Sequence, residues 1–192
     1  MGGTVFDVVI VAGLPRSGTS MLMQMLQSGG LDVLTDEQRT ADDDNPKGYL
    51  EFEPVKRTKE DPSWLDRAHG KAVKIVYRLI HDLPKDRRYR VILMRRDVDE
   101  VLASQAAMLA RRGEAGANLP PERLGALFER EMEKTLDVIN DEACFEVLEV
   151  HYRDVVSDPL SQAKAINQFL GGHLDSQAMA AAVQPDLYRQ RR

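Results

Sequence analysis

The sequence predicts a three-layer α/β domain with a mainly parallel central sheet, and three observations support this. Apolar, β-branched runs of strand length alternate along the chain with segments of helical period. Those runs are almost continuously apolar, as in strands buried on both faces. A glycine-rich turn, G-L-P-R-S-G-T-S at residues 13–20, joins the first run to a helix.

Residues 5–12 read as the first strand. Residues 19–28 follow as a helix with Met21, Leu22, Met25 and Leu26 on one face, stopped by Gly29 and Gly30. The methionine stripe reads as core packing rather than as a cofactor contact. Residues 31–34 are a candidate short strand. From residue 35 to residue 66 the periodicity is lost. This stretch is acidic at Asp42, Asp43 and Asp44 and punctuated by Pro46, Gly48, Pro54 and Pro62. It reads either as a lid or acceptor-binding segment over a site or as a solvated excursion. Residues 72–77 and 90–94 are two further buried strands. Residues 97–112 read as a helix, 113–118 as a loop, and 120–140 as a longer amphipathic helix. Residues 145–150 form a fourth strand. Residues 159–170 form a helix with Asp158 as N-cap, Pro159 in its first turn and Gly171 as its stop.

A length of 192 residues suits a single domain spanning 1–192. The balance of 26 basic and 31 acidic residues, net −5, argues against a nucleic-acid partner. A local cluster of amides and arginines can still hold a small anion. A single cysteine, Cys144, excludes an internal disulfide and points to a reducing, cytoplasmic setting. It lies in an apolar stretch and reads as a structural thiol. No apolar run is long enough for a membrane span.

The 13–20 turn carries the chemistry. Two glycines five apart let successive N–H groups converge on one anion, and the following helix adds its N-terminal dipole. The loop is P-loop-like, yet Thr19 stands where a nucleoside-triphosphate loop has lysine, and the cation has moved to Arg16. The strand at 90–94 runs into Arg95 and Arg96, where a magnesium-dependent kinase needs an acid. The anion held here is therefore expected to be neutralised by Arg and Lys without a metal.

Residues 13–22 resemble the 5′-phosphosulfate loop of sulfotransferases, which often reads P-[KR]-S-G-T-[ST]. R-D-V-D-E-V-L-A-S at 96–104 is similar to that family's 3′-phosphate segment. V-H-Y-R-D-V-V-S-D-P at 150–159, followed by F-L-G at 169–171, is similar to its late Y-E-D-L-x-x-x-P…F-L-G stretch, with Arg153 where Glu is usual. The phosphate loop most resembles the tyrosylprotein branch; the chain as a whole resembles bacterial-type cytoplasmic relatives. The resemblance implies PAPS (3′-phosphoadenosine 5′-phosphosulfate) as donor and PAP as product, with no metal. It implies a cradle of Pro15, Arg16, Ser17, Gly18, Thr19 and Ser20 for the phosphosulfate, Arg96 and Ser104 on the 3′-phosphate, and Tyr152 near the nucleotide. It also implies Arg16 and Lys74 as the cations facing the sulfuryl group. The basic residues at 189–192 are the one candidate to close over the nucleotide.

A hydroxyl or amine acceptor needs a proton acceptor. Glu37 follows the candidate second strand, near the expected carboxyl edge of the sheet. It also lies about as far after the loop arginine as the catalytic glutamate of the tyrosylprotein branch. Asp36 and His81 are its rivals. The sequence admits small-molecule, glycan, lipid and peptide acceptors alike. Two other functions fit less well: a non-catalytic PAP or PAPS binder, and a divergent P-loop kinase of a small molecule.

Overall fold

The structure, a computed structural model, describes residues 7–36, 48–116 and 118–184. Strands β1 (Val8–Gly13), β2 (Ala72–Val76), β3 (Tyr89–Arg95) and β4 (Phe145–His151) form a sheet in the order β2-β1-β3-β4. Each neighbouring pair is parallel. The chain leaves β1 for β2 on one side and then crosses to β3 on the other. β1 and β3 therefore part at a topological switch point, where open α/β sheets bind ligands beyond the carboxyl ends of their strands.

Alternation along the strands divides the interior into two cores. Ile10 and Ala12 of β1, with Val91 and Leu93 of β3, face one core. That core also takes Val101 of α2 (Val98–Arg112) and Met132 and Ile139 of α3 (Pro121–Asp141). Val11, Ile92 and Met94 face the other. There they meet Leu22, Met25 and Leu26 of α1 (Thr19–Ser28) and Val155 of α4 (Tyr152–Ser157). Ala163 and Ile166 of α5 (Pro159–Phe169) and Met179 of α6 (Ser176–Ala181) complete that side. Met23 and Met25 are fully buried, so the methionines are core there, whereas Met21 lines a cavity described below.

Local chemistry sets several boundaries. The Asp97 carboxylate accepts from the amides of Asp99 and Glu100 and starts α2; Gly113, at φ 67, ends it. Asp158 likewise caps α5 through the Ser161 amide. Residues 31–34 are not a strand. Val33 makes an isolated bridge to Ala72, and the Thr35 hydroxyl and Asp36 amide then turn to the Glu51 carbonyl. The described part of the irregular stretch is anchored by buried side chains, with residues 59–63 exposed between them. It contains two 3₁₀ turns, Glu53–Arg57 and Ser63–Arg67, and buries Phe52, Trp64 and Leu65. The Trp64 indole donates to the Thr58 hydroxyl at 3.1 Å. The helices α4 and α6 and the 3₁₀ turn Tyr77–Asp82 have no counterpart among the sequence expectations. No helix among the described residues is long and apolar enough to cross a membrane.

Candidate functional site

The loop is built on its two glycines. A Cβ on Gly13 would lie 2.6 Å from the Ser17 hydroxyl and 2.9 Å from the Met94 carbonyl oxygen. A Cβ on Gly18 would lie 2.4 Å from the ring of Tyr152, and Gly18 has φ +106. Arg16 also takes a left-handed backbone, φ 70, unusual for a residue with a side chain. The Ser17 amide bonds the Leu14 carbonyl, and the Ser17 hydroxyl is buried without a hydrogen-bond partner. Helix α1 begins with no side-chain cap and no acid in its first turn. Its first amides and its positive dipole end are thus directed at the loop, which suits an anion. Gly18→Ala should unseat Tyr152 and strain the loop, lowering the thermal midpoint and weakening the binding of any anion the loop holds. Calorimetry and thermal melts check both effects.

Three cations stand around this loop. The Arg16 Nε donates to the Ser104 hydroxyl at 3.1 Å, so residues expected at opposite ends of a nucleotide are in contact. Arg96 follows β3; its Nη1 donates to the Arg16 carbonyl at 3.0 Å and its Nε to Glu100 at 3.0 Å. The Arg96–Glu100 pair is deeply buried, with side chains 8% and 3% exposed. The Arg96 guanidinium also lies over the Tyr152 ring, 4.4 Å from its centroid. Tyr152 therefore fills the space between Gly18 and Arg96, serving as packing and as part of the site. Arg153 reaches Glu100 at 3.8 Å, which accounts for a cation at that position. Arg95 points elsewhere and pairs with Glu149 at 3.1 Å.

Lys74 comes from β2. Its ammonium donates to the Ser20 hydroxyl at 3.3 Å and to the carbonyl of Tyr49, and it pairs with Glu51 at 3.2 Å. Its side chain is 10% exposed. Loop, Lys74, Arg96, Ser104 and Tyr152 line a single cavity of about 480 Å³. Pro15 lines it too, whereas Ser17 lies behind the loop. The expected donor-binding residues are thus brought together from β1, β2, α2 and α4.

Of the expected bases, the two that are described, Asp36 and His81, do not line the cavity. Glu37 lies outside the described residues, as do residues 42–44 and 189–192. The Asp36 carboxylate accepts from the Glu53 amide at 2.6 Å and caps the first 3₁₀ turn instead of lining the cavity. His81 is exposed, 3.2 Å from the Thr135 hydroxyl, also outside the cavity. Burial pushes the Cys144 thiol up, as expected of a structural cysteine. Sequence reasoning missed Tyr49 and Glu51. They lie in the aperiodic stretch, which carries no signal to separate cavity acids from surface acids.

The protein-family model for the sulfotransferase domain matches residues 6–185. Among solved structures, the chain is similar to the sulfotransferase domain of the Synechococcus PCC 7002 olefin synthase. Identity is 17%, coverage is 98% of this chain and 82% of that one, and the TM-score is 0.60. It is also similar to sulfotransferase STF1 from Mycobacterium tuberculosis, at 14% identity, 97% and 76% coverage and TM-score 0.57. A third similar structure is retinol dehydratase in complex with androsterone and inactive cofactor PAP, at 14% identity, 94% and 64% coverage and TM-score 0.53. No curated protein matches the chain. The loop, its cations and the four-stranded parallel sheet agree with the family match over nearly the whole length: the chain belongs to the sulfotransferase domain family.

Proposed function

We propose that the chain, as one catalytic domain, moves a sulfuryl group from PAPS to a hydroxyl or amine acceptor, leaving PAP and using no metal. One observation carries the reading. The amides opening α1, Arg16 with its partner Ser104, Lys74 and Arg96 converge on one cavity, and β3 runs into arginine where magnesium would need an acid. The retinol dehydratase neighbour, crystallised with PAP, supports the donor.

Pro15, Arg16, Gly18, Thr19 and Ser20 cradle the 5′-phosphosulfate, with Ser17 holding the loop's shape from behind. Arg96 and Ser104 take the 3′-phosphate, and Tyr152 supports both the loop and Arg96. Arg16 and Lys74 neutralise the charge that spreads between the sulfuryl oxygens and the departing phosphate. This positioning and neutralisation is most of what such a transfer demands. As the acceptor oxygen or nitrogen bonds sulfur and the S–O bond to phosphate breaks, a carboxylate receives the acceptor proton. We assign that role to Glu37 on its spacing from Arg16, shared with the tyrosylprotein branch. A second assignment, Glu51, is favoured by its place in the cavity 3.2 Å from Lys74. The single cysteine supports a cytoplasmic protein.

Native protein should bind PAP in preference to ADP, with affinity unchanged by EDTA. Calorimetry with both ligands, with and without magnesium, checks this. Equal affinity for ADP or strict metal dependence would turn the reading toward a P-loop kinase. PAP binding without turnover of any acceptor would turn it toward a sensor.

A further inference from the structure

We infer that Glu100 is a positioning residue for the donor: it holds the Arg96 guanidinium in the orientation that reads the 3′-phosphate. This inference rests on the transfer reading and adds a residue to its donor half. Among the described residues, Glu100 is the one buried carboxylate, its side chain 3% exposed. Acids are almost never buried this far unless paired, and burying the charge carries a desolvation cost. A negative charge beside a phosphate site also opposes the anion. Both penalties call for a role that offsets them.

Glu100 stands three residues after Asp97, the N-cap of α2, where a glutamate commonly turns back toward the cap. Capping accounts for the residue type but not for its burial against an arginine. The Glu100 Oε2 accepts from the Arg96 Nε at 3.0 Å, and its Oε1 lies 3.8 Å from the Arg153 Nη2. Arg153, 66% exposed, offsets part of the carboxylate's charge from the solvent side. Arg96 is thereby held in three ways. Its face lies over the Tyr152 ring, which sets the plane of the guanidinium. Its Nη1 donates to the Arg16 carbonyl, and a bond at that nitrogen alone would let the group turn within the plane. The second bond, from Nε to Glu100, stops that turn. An arginine has many rotamers, and selecting one of them in the fold removes that cost from ligand binding. Ser104 follows Glu100 by one helical turn, on the same face of α2. One rigid element thus carries the carboxylate that aims Arg96 and the hydroxyl assigned to the same phosphate.

The test is calorimetry on the full-length protein with PAP and adenosine 5′-monophosphate (AMP), which differ only in the 3′-phosphate. Native protein should prefer PAP. Glu100→Ala should shrink that preference by about fivefold or more, the scale of immobilising one long side chain on binding. Its AMP affinity should stay near native, which shows a folded site even where the thermal midpoint falls. Glu100→Gln still offers an oxygen to the Arg96 Nε and should keep most of the native preference. An undiminished preference in Glu100→Ala, equal weakening of both nucleotides, or a Glu100→Gln variant as impaired as Glu100→Ala overturns the inference. So does tighter PAP binding by both variants, the result expected if the carboxylate acts on the phosphate through its charge alone. A native protein that binds PAP and AMP alike would strike the donor reading itself, a result seen before any variant is made.

Discussion

Glu37→Gln is expected to lower kcat by about 10²–10⁴ while leaving PAP affinity close to native. The amide keeps the size and shape of the carboxylate and removes its basicity, so the loss falls on proton removal and not on donor binding. The measurement is steady-state turnover with PAPS on an acceptor found by screening phenols, sugars, amines and hydroxy acids. Glu51→Gln is the companion variant. Glu51 is 3.2 Å from Lys74 and within the cavity. If Glu51 only steadies Lys74, its amide, which still offers an oxygen to the ammonium, should cost a few-fold in kcat, about 1 kcal/mol or less. The two variants exchange their effects if Glu51 is the base. A large loss confined to Glu51→Gln would therefore move the base to the segment that carries Tyr49 and leave the donor assignments intact.

Arg96→Ala should weaken PAP binding by about 1.5–3 kcal/mol, the scale of a hydrogen bond to a charged group. It should leave adenosine 5′-phosphosulfate, which lacks the 3′-phosphate, nearly unaffected. The variant also disturbs the fold. Arg96 bonds the Arg16 carbonyl, lies over Tyr152 and pairs with Glu100, whose side chain is 3% exposed. Removing one member of a buried ion pair costs about 3–5 kcal/mol, because the other charge stays desolvated. Arg153, at 3.8 Å from Glu100, offsets part of that cost. The thermal midpoint should therefore fall together with PAP affinity. Comparing the two nucleotides separates these effects: a general loosening weakens both, whereas loss of 3′-phosphate recognition weakens PAP alone. Equal losses for both would remove Arg96 from 3′-phosphate binding.

Features governed by near neighbours were legible in the sequence. The bounds of α1 follow from Gly18 before it and Gly29 after it. The start of α2 follows from the Asp97 side chain, which reaches amides two and three residues on. The strands declared themselves because burial on both faces requires apolar residues at nearly every position, as in β1 and β3. The loop was legible because its glycines answer a local steric demand, and Thr19 in the lysine position with the cation moved to Arg16 is a local change. The family resemblance then ordered its partners along the chain. The short strand at 31–34 failed for the opposite reason. A single parallel bridge at a sheet edge depends on where Ala72 lies, and nothing within four residues encodes that.

Only the tertiary structure decided which polar groups meet. Arg16 and Ser104 are 88 residues apart, and Lys74 and Glu51 are 23 apart. Their pairing depends on the order in which β2 and β3 flank β1, and hydrophobic pattern leaves that order open. Tyr49 and Glu51 lie in a stretch without period, so sequence gave no face on which to place them. Arg111 and Arg112 read equally well as an ordinary helix end until α2 was seen to carry them along the cavity wall. By itself the sequence determined the elements and the anion-binding loop, since steric and burial rules act over a few residues. The surroundings of that loop came from the fold, because charge complementarity across a cavity depends on distances in space and not on spacing along the chain.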